Sequence, residues 1–453
     1  MNPKPPITRT GTSGWLGHHA KRLKSLAMVG AVSLGFAGAA FAAAAPASAD
    51  PGSVYVAVGS DTIQDAMNGF AFTTGGGIGG TIIASYNAVD PVTAAGGAVI
   101  TPSKIVNGTS QSNCSFTRPN GSTQGFAALD FSLNPSTTLA QQAAPPQAGC
   151  VDIARSSGGP GSAVPSGTTT GPGIQTATGD LVYIPFALDA VTGATGPTTA
   201  GQTTTTKCVS TTTGCTNGTI SFTVPVTNIS TADMFTLTDL KTLYASCGTV
   251  TEGGVTYNPV TAGTGQQQID LYVPQAGSGT LKFWASTLGF SATTLPTCVH
   301  QAILSGPAVS VSVEEHDGSA VASDPNGYMP FSIAQWIAQS HGIDERRHTA
   351  ILHNINGVAP IVTNKLNTAF PIIREVYNVM QYGAVVSGGV TGVTFDPVLS
   401  GLFATTTSGL CQNTFLISNF GFATLPTTGG PTPDQCGATT SGLRVQQTNN
   451  GPG

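Results

Sequence analysis

Short runs of β-branched and aromatic residues alternate along this chain with apolar positions spaced three and four apart. Val54-Tyr55-Val56-Ala57-Val58 predicts a strand, and Ile63, Ala66, Met67 and Phe70 predict a helix after it. Gly59-Ser60-Asp61-Thr62 lies between them. Ile269 to Val273 predicts a second strand, and Leu281, Phe283, Trp284 and Leu288 a second helix, with Gly277-Ser278-Gly279-Thr280 at the junction. Gly80–Ser85, Val151–Ala154, Leu181–Ala187 and the alternating Val309–Val313 also read as strands. Phe235–Tyr244 and Met329–Ser340 read as helices, and the apolar positions from Ile372 to Val379 fit either. Strand alternating with helix gives an α/β fold with largely parallel sheets.

The junctions carry the candidate chemistry. In addition to the two above, Asn120-Gly121-Ser122 precedes the apolar positions Phe126, Leu129 and Phe131, and Arg155-Ser156-Ser157 follows the strand at Val151. The first N–H groups of a helix lack internal partners and carry the positive end of its dipole. Glycines admit a ligand close to that backbone, and hydroxyls add neutral donors, so each junction is a plausible anion cradle. Arg155 adds a planar fork of donors that suits an oxyanion. The competing reading is four capped turns and a surface arginine. The GxxxxGK[ST] spacing of a P-loop is absent. In open α/β sheets ligands bind beyond the carboxyl ends of the strands, which is where all four junctions fall.

Composition narrows the setting. Lys4, Arg9, Lys21, Arg22 and Lys24 precede a small apolar stretch, Leu26–Ala45, and Ala47-Ser48-Ala49 has the form of a cleavage site, so residues 1–49 read as a secretory signal peptide. The 453 residues include only 8% charged side chains, 16 basic and 21 acidic, with no basic patch of the kind nucleic acid requires. No later segment supplies the roughly 20 apolar residues of a membrane span. An exported chain with an even number of cysteines implies disulfides. Pairing sequential neighbours gives Cys114–Cys150, Cys208–Cys215, Cys247–Cys298 and Cys411–Cys436, each closing one loop-rich segment. No C-x-x-C or Cys/His cluster suggests zinc, and no metal or cofactor is expected. Glu314-Glu315-His316-Asp317-Gly318 could be an acid–base or metal cluster, though a solvated turn ending in Asp-Gly is the favoured reading. Asp344–His348 reads as a charged exposed turn.

Taken in order, Gly59–Thr62, Asn120–Ser122, Asp152–Ser157, Ile184–Ala187, Leu237–Tyr244, Gly277–Thr280 and Gly327-Tyr328 resemble the periplasmic phosphate-binding proteins of ABC importers, and more closely secreted actinobacterial substrate-binding-like proteins. The resemblance covers most of residues 54–340. It implies a two-lobed type-2 periplasmic binding protein fold with a cleft between lobes. The first lobe would take residues 50–186 and 371–453, the second 187–370, with crossings near residues 187 and 370. It also implies a secreted, extracellular or cell-wall associated monomer that holds phosphate or a similar oxyanion, with an ABC permease as partner and no enzymatic activity.

By position, the implied ligand contacts are Ser60, Thr62, Ser122, Ser156, Ser157, Ser278, Gly279 and Thr280. The family's acidic position falls on Ser157, and no arginine occupies the stretch Val273–Ala276. Arg155 and Asp61 are the candidates to replace those two charges. If neither faces inward, the pocket is neutral and suits a fully ionised anion such as sulfate. An extracellular binding or structural protein without a transport role is the alternative function. A secreted phosphatase has less support, since neither a G-x-S-x-G elbow nor a nucleophile–base–orienter spacing is present.

Overall fold

The apolar run at residue 54 becomes strand β1 (Tyr55–Gly59), buried at every position, and the helical spacing after it becomes α1 (Gln64–Gly75). Polar loops of the same kind recur at later strand ends. Strand β2 (Ile83–Ser85) lies beside β1, α2 (Ser122–Leu133) follows the second polar loop, and β3 (Ile153–Ser156) ends at the third. After β4 (Leu181–Thr195) and α3 (Leu237–Ser246) come β5 (Asp270–Tyr272), α4 (Gly279–Leu288) and β6 (Val299–His300). Strand β7 (Gly327–Ser332), helix α5 (Ile333–Ser340) and strand β8 (Ile373–Gln381) complete the frame.

This is a computed structural model. It describes residues 53–75, 82–90, 97–106, 109–111, 114–134, 148–160, 178–196, 205–208, 219–222, 233–304, 312–427 and 435–446. Contacts tie Ala49–Gly453 into one unit. Among the described residues no helix is long and apolar enough to cross a membrane.

The fold is mixed α/β. The main sheet runs β6-β5-β7-β4-β8-β3-β1-β2. Parallel pairing holds β2, β1 and β3 at one end and β6, β5 and β7 at the other. Between them stand two long antiparallel strands. Residues 181–190 of β4 pair with β8, and residues 191–195 pair with β7. Hydrogen bonding is therefore continuous through β4 across residue 187. The sheet is accordingly less parallel than the alternation of strand and helix suggests. Strands buried on both faces read as unbroken apolar runs, and Val56, Ala57, Val58, Val182, Ile184 and Phe186 are all buried.

Two expectations shift. Met329–Ser332, read as the start of a helix, is the end of β7. Pro330 has no N–H for a helix interior and pairs instead with Gly193 of β4. Ser332 then caps α5, its side chain accepting the Gln335 N–H. The apolar positions from Ile372 onward resolve as strand β8. Most of the alternating run Val309–Val313 lies outside the described residues, apart from a bridge between Ser312 and Ala302. Disulfides join Cys114 to Cys150, Cys247 to Cys298 and Cys411 to Cys436, the sequential pairing expected. The expected Cys208–Cys215 pair depends on Cys215, which lies outside the described residues.

Candidate functional site

All four polar loops meet. Asn120 forms a bridge with Gly59, and the Gln275 side-chain amide donates to the Asn120 carbonyl oxygen Oδ1 at 2.9 Å. The Thr123 N–H donates to the Gly277 carbonyl at 3.2 Å. Ser122 and Ser157 hydroxyls lie 3.2 Å apart, and those of Thr62 and Thr280 3.4 Å apart. Only glycine fits where the loops touch. A Cβ on Gly279 would stand 2.3 Å from Ser122 Oγ and 2.4 Å from Ser157 Oγ. Ser278 caps α4 by accepting the Leu281 N–H.

A carboxylate already sits at this meeting point. The turn at residues 314–318, read as solvated, is instead inserted among the loops, and Glu315 and His316 are wholly buried. Glu315 Oε1 accepts the Thr280 N–H at 3.3 Å, and Oε2 accepts the Thr62 hydroxyl at 3.2 Å. Burial pushes the Glu315 carboxyl up. Hydrogen bonding from His316 and Ser278, and the charge of Arg374, outweigh that and hold it at about 2. His316 sits in the left-handed region, with φ of 56°, a backbone conformation uncommon outside glycine.

The cation at the site is Arg374, which the sequence reading did not single out. It leaves strand β8 opposite Asp189 of β4. Its Nε and Nη2 donate to Asp189 Oδ2 at 3.0 and 2.8 Å. Nη2 also donates to Thr280 Oγ1 at 2.9 Å and Thr62 Oγ1 at 3.4 Å, while Nη1 is buried with no hydrogen-bond partner. Each of these charges interrupts an apolar stretch, Leu188-Asp189-Ala190 and Ile373-Arg374-Glu375-Val376. A charge set in such a strand is the signal that could have found them, because a buried charge requires a partner.

Arg155 is not that cation. Its Nε donates to the Ser60 carbonyl, Nη1 to the Ala57 carbonyl and the Ser85 hydroxyl, and Nη2 to the Gly59 and Tyr86 carbonyls. Five donors meet five acceptors, so this arginine welds β1 to β2 beneath the first loop. Asp61 lies close to the site but is clamped by Arg346, whose Nη1 and Nη2 each stand 3.2 Å from one of its oxygens. Arg346 belongs to the turn read as exposed. Ser156 donates to the Gly158 carbonyl within its own loop, and the buried Ser60 hydroxyl has no partner.

Two chemistries can be weighed on this geometry. Thr62 Oγ1 and His316 Nε2 stand 2.8 Å apart, a nucleophile–base distance. Glu315 approaches the same ring nitrogen at 3.4 Å, however, and Nδ1 accepts the Ser332 N–H, so no acid orients the ring from behind. Asp61, Glu315 and His316 offer ligand atoms within 4.8 Å of one another. Arg346 holds the first, the Thr280 N–H and Thr62 hydroxyl hold the second, and Arg374 adds a positive charge, all of which disfavour a metal cation.

No protein-family model matches the chain, and no curated protein matches it. Among solved structures it is similar to a candidate phosphate ABC transporter substrate-binding protein with bound phosphate from Clostridium perfringens, at 12% identity over 83% of this chain and 100% of that one, with a TM-score of 0.41. An ABC-type phosphate transport receptor from Vibrio cholerae matches at 12% identity over 82% and 100%, with a TM-score of 0.38. A phosphate binding protein from Stenotrophomonas maltophilia matches at 14% identity over 87% and 100%, with a TM-score of 0.34.

Two outcomes follow from the site's geometry. Arg155→Met should lower unfolding stability by at least ~3 kcal/mol, because it strands buried carbonyls. Urea denaturation checks this, and a midpoint near that of the wild type would contradict a structural role. The Glu315 carboxyl lies below its ordinary value of 4.5 in the folded chain, so its contribution to stability is complete above about pH 4.5 and is lost as the pH falls toward 2. Glu315→Gln should flatten the fall in melting temperature across that window, and an unchanged slope would contradict the assignment.

Proposed function

We propose that this chain is a secreted solute-binding protein that holds one tetrahedral oxyanion, phosphate or sulfate, where the four loops meet. The observation that carries this reading is the Glu315 carboxylate. A buried anion is gripped by the backbone N–H near the start of α4, by the Thr62 and Ser278 hydroxyls, and by the field of Arg374. Donors arranged for one oxyanion suit another. In this reading residues 50–186 and 371–453 form one lobe and 187–370 the other. The support is that β4 and β8 are the long strands through which the two parallel groups are joined. The chain would work as a binding protein without chemistry of its own, outside the cell, with a permease as its partner.

One observation favours a second reading, an extracellular protein of the same architecture with no transport role. The seat is filled by the chain itself, and Ser122, Ser157 and Gly279 close on one another beside it.

Calorimetric titration of the mature chain with sodium phosphate and sodium sulfate separates the two. Saturable binding at millimolar anion is expected. Thr62→Val should weaken it about tenfold or more, the effect of one hydrogen bond to a charged group. No binding of either anion to any form of the chain would reject the oxyanion reading in favour of the second.

A further inference from the structure

We propose that Glu315 is the resident occupant of the oxyanion seat, a tethered competitor that must withdraw before a free anion binds. This inference rests on the oxyanion reading and adds what controls it. The two carboxylate oxygens engage the Thr280 N–H and the Thr62 hydroxyl, groups that a bound oxyanion would also need. An N–H and a hydroxyl proton taken up by Glu315 are not free for a second acceptor, and like charges repel in a buried site, so a free anion must displace the carboxylate.

The seat also holds more donors than a carboxylate can use. Nη1 of Arg374, whose Nη2 reaches Thr62 and Thr280, is buried without a partner, and so is the Ser60 hydroxyl two residues before Thr62 in the first loop. Buried polar groups are ordinarily satisfied, so two orphans beside a planar, two-oxygen occupant point to a larger ligand with more oxygens. A tetrahedral anion supplies them.

The turn that delivers Glu315 is built to be held rather than locked. Val313 exchanges backbone hydrogen bonds with Gln275 and Gln301, which fixes the start of the turn. Glu314 accepts from the Asn120 side-chain amide at 3.0 Å, and the His316 carbonyl accepts from Gln339 at 2.9 Å. His316 between them adopts its left-handed conformation. Strain of that kind is retained where the surroundings impose it, and it is relieved when the turn moves. A tether of this length keeps the carboxylate at a high effective concentration, so the apparent affinity for a free anion falls by the fraction of molecules in which the seat is open.

The test is calorimetric titration of four forms of the mature chain with phosphate and with sulfate: wild type, Glu315→Ala, Glu315→Gln and Glu314→Gln, each first checked for a cooperative melt. Glu315→Ala should bind both anions at least about tenfold more tightly than wild type, since the competitor is gone. Glu315→Gln keeps the side chain's bulk and should show a smaller gain, and it carries the test if the alanine variant does not fold. Glu314→Gln removes the same charge one residue away and keeps a side-chain oxygen to accept the Asn120 amide that holds the turn, so it should match wild type. Equal affinity in wild type and both Glu315 variants would overturn the competitor and leave the oxyanion reading standing. An equal gain in Glu314→Gln would assign the effect to long-range charge and also overturn it. If no form binds either anion, the oxyanion reading itself fails and this inference with it.

Discussion

The ion pair between Asp189 and Arg374 is the contact on which the rest of the site depends. Asp189 is fully buried and accepts from four donors: Arg374 twice, the Ser332 hydroxyl at 2.8 Å and the Ala334 N–H at 3.1 Å. It therefore joins the two long antiparallel strands to the start of α5. Arg374 extends the same network to Thr280 at the start of α4 and to Thr62 after β1. Breaking a buried pair by removing one partner typically costs ~3–5 kcal/mol, because the other charge is left uncompensated. Neutralised along one side by Asp189, Arg374 still presents its remaining nitrogen and its field to the seat.

Around that pair the strand ends do the positioning. β1, β3 and β5 each stop at a loop that supplies hydroxyls, and the helices that follow β1 and β5 supply N–H groups free of internal partners. Arg155 holds the first of these loops from below by taking up the carbonyls of residues 57, 59, 60 and 86. Arg346 holds it from the side through Asp61, so the loop that carries Thr62 is fixed at two points. The gathering of donors is thus a property of the frame, and Glu315 is inserted into a seat whose walls are made by other parts of the chain.

The alternation of strand and helix was legible from the sequence because strands buried on both faces leave unbroken apolar runs. The four loops were legible because glycine and hydroxyl residues recur at strand ends. Local pattern could not say which charged residues face the seat. Arg155 sits beside two serines and reads as a ligand donor, yet its carbonyl partners come from residues 57, 59, 60 and 86. Glu315 and His316 read as a solvated turn because Asp-Gly follows them, and only the tertiary insertion of that turn among the loops buries them. Arg374 was overlooked because its partner, Asp189, is 185 residues away. Such a pair shows in the sequence only as charges set in largely apolar strands.

The proposed oxyanion seat is buried and filled by Glu315. A crystal structure of the Glu315→Ala variant grown in phosphate tests it most directly. The expected result is tetrahedral density within hydrogen-bond distance of the Thr280 N–H, the Thr62 hydroxyl and Arg374, with Arg374 Nη1 taking a partner. Density for water alone in the vacated space, or collapse of the four loops into it, would contradict the account.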